Sequence, residues 1–154
     1  MINKEKDPLK EAKLKAARYC AYRERAPLEL KRKLINLGLS ENQIEQVCQE
    51  LMDEGFVNEQ RFALTFARSK FRLKKWGKIK IELALKRLEI SESFICDAVN
   101  SLPPDEYLKT LKELLNKKRQ SLKISDPFVI NHKVALFLIS KGFEPELAWK
   151  ELKN

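Results

Sequence analysis

The chain has 154 residues, of which 44% are hydrophobic and 34% charged, a balance that suits a globular protein with a heavily charged surface. Lys plus Arg number 31 against 22 Asp plus Glu, a formal charge of +9, which favours a polyanionic partner or one with an acidic surface. No apolar run approaches the roughly 20 residues that a bilayer requires, and no apolar segment follows the start Met1–Asp7, so a cytoplasmic protein without a signal peptide or membrane contact is expected.

With only 4 Gly and 6 Pro, the chain favours helices over hairpins. A first helix is predicted from Pro8 to Arg25, its stripe formed by Leu9, Ala12, Ala16, Tyr19, Ala21 and Tyr22. Pro27 suits the first turn of a second helix, whose missing N–H costs nothing there. Leu30, Leu34 and Leu37 give that helix a face, and Gly38 ends it in a left-handed cap. Ser40-Glu41-Asn42-Gln43 reads as a capping box ahead of a third helix carrying Ile44, Val47 and Leu51 up to Gly55. The pattern then restarts. Asn58 caps a helix with Phe62, Ala63, Phe66 and Leu73, broken at Trp76-Gly77. Ile81, Leu85 and Leu88 follow, and Ser91 caps a helix with Ile95, Ala98 and Leu102.

A shift of 51 residues carries the first unit onto the second. Leu30, Leu34, Leu37, Leu39, Ser40, Ile44, Val47 and Leu51 become Ile81, Leu85, Leu88, Ile90, Ser91, Ile95, Ala98 and Leu102, an internal repeat. A third, weaker copy begins after Pro103-Pro104-Asp105. Tyr107, Leu108, Leu111, Leu114 and Leu115 start it, Asp126-Pro127 opens a helix with Val134, Phe137 and Leu138, and Gly142-Phe143 matches Gly38-Leu39. Leu147, Ala148 and Leu152 mark a short last helix whose positions align poorly with the first copy, as a terminal unit permits. The expected fold is all-α: three tandem three-helix repeats, at 8–57, 58–104 and 105–154, stacked into an elongated, curved body in which each unit touches mainly its neighbours.

Catalytic chemistry finds no support. His132 is the only histidine and sits on a predicted helix beside Lys133. No phosphate-wrapping Gly-x-x-x-x-Gly-Lys loop or metal-binding His-Glu-x-x-His helix exists. Glu41, Glu45 and Glu50 read as solvating charges, since an acid/base pair needs burial to tune it. Cys20, Cys48 and Cys96 lack Cys-x-x-Cys spacing, so reduced packing residues are expected rather than a zinc site. Neither an enzyme nor a cofactor is anticipated.

The positive charge is concentrated. Residues 8–57 carry 9 basic and 8 acidic side chains, residues 58–104 carry 10 and 5, and residues 105–154 carry 10 and 7. From Gln60 to Ile81 stand Arg61, Arg68, Lys70, Arg72, Lys74, Lys75, Lys78 and Lys80 with no acid among them. Such a run is often only a solvated face. Here it lacks the i,i+4 partners that support surface helices, so it repels itself unless a partner offsets it. Trp76 lies at its centre, read either as an anchor beside Lys and Arg or as a core residue beneath the turn. Arg68, Lys70, Arg72, Lys74, Lys75, Trp76, Lys78 and Lys80 are the candidate partner-binding residues.

Three stretches carry a family resemblance: Gly55-Phe56-Val57-Asn58-Glu59-Gln60-Arg61-Phe62-Ala63, then Arg68-Ser69-Lys70-Phe71-Arg72, then Trp76-Gly77-Lys78-Ile79-Lys80-Ile81. Together with Arg25-Ala26-Pro27-Leu28-Glu29-Leu30-Lys31-Arg32-Lys33-Leu34 and Lys141-Gly142-Phe143, the chain resembles the RecX family of bacterial recombinase regulators, over nearly its whole length after residue 9. It differs at Asn58-Glu59, where the family commonly has two acids, and at Ala26-Pro27, where a serine-like cap often stands. The resemblance implies a monomer that binds in the groove of the RecA–DNA filament, bridges protomers, and suppresses ATP hydrolysis and strand exchange. Contact with single- or double-stranded DNA is compatible with it. The alternative reading is a helical-repeat protein that binds DNA or RNA directly, which would weaken steeply with salt and need no recombinase. A purely structural scaffold would leave the acid-free run unexplained.

Overall fold

The structure, a computed structural model, describes residues 7–154; the reading of the start of the chain as lacking a leader lies largely outside them. The described residues form nine α-helices in three triplets: α1 (Pro8–Tyr22), α2 (Pro27–Asn36) and α3 (Glu41–Asp53); α4 (Glu59–Lys74), α5 (Lys78–Arg87) and α6 (Glu92–Asn100); α7 (Pro104–Ser121), α8 (Pro127–Ser140) and α9 (Pro145–Leu152). Helix packing is concentrated inside the triplets, chiefly α4 on α6, α8 on both α7 and α9, and α2 on α3. The all-α tandem-repeat expectation holds. The accessible surface is 10387 Å², against about 8000 Å² for a compact globule of 18.0 kDa, as a stack of small units requires.

Local chemistry sets the helix ends. Ser40 Oγ accepts from the Gln43 N–H at 3.3 Å and Gln43 Oε1 accepts from the Ser40 N–H at 2.9 Å, completing the expected box. Asn58 Oδ1 accepts from the Arg61 N–H at 2.8 Å. Ser91 occupies the N-cap of α6, but its hydroxyl makes no capping bond. Its backbone N–H goes instead to Glu59 at the start of α4. The first helix stops at Tyr22 rather than Arg25: Arg23 is already extended, at φ −158° and ψ 167°, and Ala26, restricted by the following Pro27, is extended at ψ 151°.

The 51-residue shift is real in three dimensions and reaches further than the leucines. Ala12, Ala16 and Cys20 of α1 are buried, as are Ala63, Ala67 and Phe71 of α4. Leu30, Leu34, Ile44, Val47 and Leu51 are buried with their counterparts Ile81, Leu85, Ile95, Ala98 and Leu102. The third copy is just as regular but in two registers. Tyr107, Leu111 and Leu115 lie 44 residues beyond Ala63, Ala67 and Phe71, whereas Val134, Leu138, Phe143, Ala148 and Leu152 lie 53 beyond Ile81, Leu85, Ile90, Ile95 and Val99, and all are buried. Nine extra residues between the first and second helices separate the two registers. The last helix therefore aligns with α6, and its apparent mismatch is an insertion effect. Truncating Leu34 or Leu85, both 0% exposed, to Ala is expected to cost about 2–5 kcal/mol by thermal or urea unfolding.

The left-handed position that closes the second helix also repeats. Gly38 has φ 84°, Gly142 has φ 98°, and between them Glu89 occupies the equivalent site at φ 58°. Left-handed backbone is costly for any residue with a Cβ. Glu89→Gly is therefore expected to stabilise the fold by about 1 kcal/mol, read as a raised melting temperature.

Some predicted core positions face outward. Tyr22 is 85% and Leu73 78% exposed, Tyr22 because it ends α1 and Leu73 because it lies off the buried face of α4. Cys20 is buried and Cys48 half-buried, with thiols raised by that burial, Cys20 to about 11. Cys96 is exposed on α6, accepting from Asn100 Nδ2 at 3.3 Å, so it is not a packing residue. His132 is exposed on α8 beside Trp149.

The two junctions between triplets differ. Helices α4 to α9 share one continuous core, whereas α1 to α3 have their own, and only Ala26 reaches from the first triplet into the larger cluster. At the second junction the Gly77 N–H donates to the Lys141 carbonyl at 2.8 Å and the Ile79 N–H to the Gly142 carbonyl at 2.9 Å. Free donors at the start of α5 thus meet free acceptors at the end of α8. Tyr107 Oη accepts from the Lys78 N–H at 3.0 Å and donates to Glu144. Burial, then that bond to Glu144, pushes the Tyr107 phenol well above its ordinary range. The first junction has no such backbone bridge at Ala26, whose N–H turns to Glu29 Oε1 at 2.9 Å. An ion pair between Arg61 Nε and Glu24, at 2.7 and 2.9 Å, spans it instead.

Candidate partner-binding site at the second junction

Helix α4 ends where the second and third triplets meet, and its basic run wraps that meeting point. The helical phase of about 100° per residue splits the run. Lys70 lies with Phe66 on one flank of α4. Arg68, Arg72 and Lys75 fall on the other, with Arg72 and Lys75 beside Glu106 and Glu113 of α7 across a shallow pocket of about 270 Å³. The sequence-predicted residues are therefore one run but two faces.

The first face is built around Trp76. The indole is half-buried, edge-on to Phe66 with centroids 6.5 Å apart and planes at 68°. Lys70 Nζ stands 5.0 Å and Lys80 Nζ 4.7 Å from its ring centre, within cation–π range. Trp76 is thus both a packing residue and an accessible aromatic between two ammonium groups. Helix α5 supplies Lys80 one turn inside its N-terminus. The left-handed Lys75, at φ 58°, turns the chain sharply enough to set Trp76 against α4. Lys78 is directed differently: its Nζ lies 5.0 Å from the Tyr107 ring centre, and its backbone is held in the junction.

Lys141 completes the cluster from the third triplet. Its Nζ donates to the Lys74 carbonyl at 2.8 Å, satisfying an acceptor at the end of α4. Partial burial, followed by the charges of Lys80 and Lys74, lowers its affinity for a proton below the ordinary lysine value. In the sequence Lys141 stands out only as part of the closing Lys141-Gly142-Phe143 motif. Its distance of 67 residues from Lys74 gives no local sign that the two share a site.

No ion pair among the described residues engages Arg68, Lys70, Arg72, Lys74, Lys75, Lys78 or Lys80. Arg61, the first base of the run, is the exception and belongs to the first junction. The same 51-residue shift relates Trp76 to Arg25 and Lys70 to Tyr19. In the first triplet the Arg25 guanidinium lies 3.7 Å from the Tyr19 ring centre, 8% exposed, with its Nε donating to the Tyr19 carbonyl at 2.9 Å. Both repeats thus use a cation–aromatic pair to brace the turn after the first helix, with cation and ring exchanged. The exchange buries the cation in the first triplet and leaves two half-buried cations about the ring in the second.

Among the described residues, no group of His, Cys, Asp and Glu is arranged to hold a metal, and no helix is long and apolar enough to cross a membrane. What the fold and site define is a tandem three-helix-repeat protein with a cationic face that no acid among the described residues pairs. Models of the first, second and third three-helix domains of RecX match residues 12–51, 58–99 and 105–152. The chain belongs to the RecX family. It is 31% identical to the regulatory protein RecX of Pasteurella multocida over 128 residues, 82% of this chain and 76% of that one. With the regulatory protein RecX of Clostridium perfringens strain 13 it shares 30% identity over 118 residues, 75% of this chain. It spans only 55% of that protein's length, and little more than half of several other relatives. A crystal structure of RecX from Lactobacillus salivarius matches with a TM-score of 0.85 at 21% identity, covering 96% of this chain and 97% of that one. Another RecX crystal structure gives 0.86 at 22%, covering 96% and 72%. These two likenesses show the fold.

Proposed function

We propose that this protein regulates the RecA recombinase by binding the RecA–DNA filament, and that it inhibits ATP hydrolysis and strand exchange during DNA repair and recombination. The observation that carries the reading is the Lys70–Trp76–Lys80 cluster with Lys141 beside it: concentrated positive charge, an aromatic anchor and no acid among the described residues paired to it. Charges unpaired within the molecule suit a complementary surface, where they steer association and fix register. An elongated stack suits a filament, because it can lie across more than one protomer. Binding alters filament activity only if one filament geometry is favoured over another.

The domain boundaries 8–57, 58–104 and 105–154, the monomeric state and a cytoplasmic location belong to the same proposal. Arg68, Arg72 and Lys75 form its secondary contact. The test is the RecA ATPase on single-stranded DNA, titrated with this protein. Inhibition that saturates near stoichiometric amounts is expected, and an unchanged rate at excess protein would overturn the assignment. The second reading, direct DNA binding, draws on the same ammonium pair around an indole, which suits a phosphate backbone and a stacked base. It predicts retention of naked DNA that falls steeply with salt.

A further inference from the structure

The acid-free run has a mirror image. From Leu34 to Gln60 the chain carries Glu41, Glu45, Glu50, Asp53, Glu54 and Glu59 and no base. Lys13 takes up Glu50 and Glu54, at 3.1 and 2.7 Å, and Glu59 receives the Ser91 N–H. Glu41 and Glu45 form no ion pair among the described residues, nor does Glu89. These three acids rim one groove.

That groove lies at the first junction, between α2, α3 and the turn after α5, and holds about 900 Å³. At the second junction the Gly77 and Ile79 amides bridge α5 to the end of α8; at the first the equivalent amide, that of Ala26, turns to Glu29 instead, and the groove there is open. Its floor is apolar: Leu28, Leu39 and Leu88 line it with Ile35, 53% exposed, and Met52, 42% exposed. Lys31 is the one base in its lining. An open apolar trough along two packed helices is a shape that receives an amphipathic helix. The acidic rim specifies the charge of that helix, since a negative border on a +9 protein repels acidic partners and attracts basic ones.

We propose that the groove between the first and second triplets is a docking site for a partner protein's amphipathic helix, with apolar residues at i, i+4 and i+7 and Lys or Arg flanking them. The site is separate from the Trp76 cluster, opposite to it in charge, and does not depend on the filament reading. Three synthetic 14-residue peptides test it against the full-length, isotope-labelled chain by NMR at physiological salt. One is a leucine–lysine helix with an apolar stripe, one has the same composition scrambled to break the stripe, and one is a leucine–glutamate helix with the stripe. Expected are saturable shifts confined to α2, α3 and the Leu88-Glu89 turn with the first peptide alone. Glu45→Lys with Glu89→Lys should weaken that binding at least tenfold, and Ile35→Ser should weaken it while leaving the fold intact by circular dichroism. Equal binding of the scrambled peptide, shifts spread along the whole acidic run, or no effect of the variants would overturn the proposal. So would a concentration-dependent dimer in which a second copy fills the groove.

Discussion

Lys70→Ala combined with Lys80→Ala is expected to raise the concentration of this protein needed for half-inhibition of the RecA ATPase at least tenfold. That is a loss of about 1.4 kcal/mol or more of binding free energy. The two ammonium groups stand 5.0 and 4.7 Å from the Trp76 ring centre, and removing both strips the charge while keeping the aromatic. Neither lysine joins an ion pair, and the two cation–π contacts are worth about 1–2 kcal/mol together, so the fold should survive with a modest loss of stability. Arg68→Ala with Arg72→Ala, on the opposite flank of α4, should have a smaller effect. Lys117 provides the control. Its neighbours Lys118 and Arg119 are unsuitable, since Lys118 lies over the Phe137 ring and Arg119 reaches Asn131. A double lysine variant that is folded and fully inhibitory would make the Trp76 face a solvated surface.

Gly77→Ala is expected to be strongly disruptive for the addition of a single methyl group. Glycine is needed here for space rather than for conformation, as its φ is −78°. A Cβ would sit 2.3 Å from both the Gly142 carbonyl carbon and the Phe143 nitrogen. Both are backbone atoms fixed by the junction, so the triplets must separate. The loss should be about 3 kcal/mol or more, at the upper end for an overpacked site, with the melting transition broadened or split. Gly38→Ala is the comparison. Nothing lies within 4 Å of its added carbon, but its φ of 84° is left-handed, so about 1 kcal/mol is expected. Equal effects of the two substitutions would mean that the junction gives way freely.

Much of this architecture was legible because the first two triplets have the same spacing throughout. A fixed shift of 51 aligned Leu34 with Leu85, and the same shift extends to Ala16 with Ala67, which small side chains hide from a reading based on leucines. The third triplet blurred because nine residues between α7 and α8 change the register midway. Ser91 looked like Ser40 but lies beside Glu59, a tertiary neighbour that no local pattern reveals. At the site, charge alone found the run from Arg68 to Lys80, while helical phase divides it. Trp76 drew two opposed readings because it is packed and accessible at once. Lys141 was hidden by sequence distance. The acid-only run from Leu34 to Gln60 was open to view, but its groove appears only when α2, α3 and the α5 turn come together.

The most direct measurement of the central claim is binding of labelled protein to single-stranded DNA with and without a RecA coat, at physiological salt. The account predicts tight binding to the coated DNA, weak binding to naked DNA, and selective loss of the former on replacing Lys70 and Lys80. Equal binding to both forms, or none to the coated form, would contradict it.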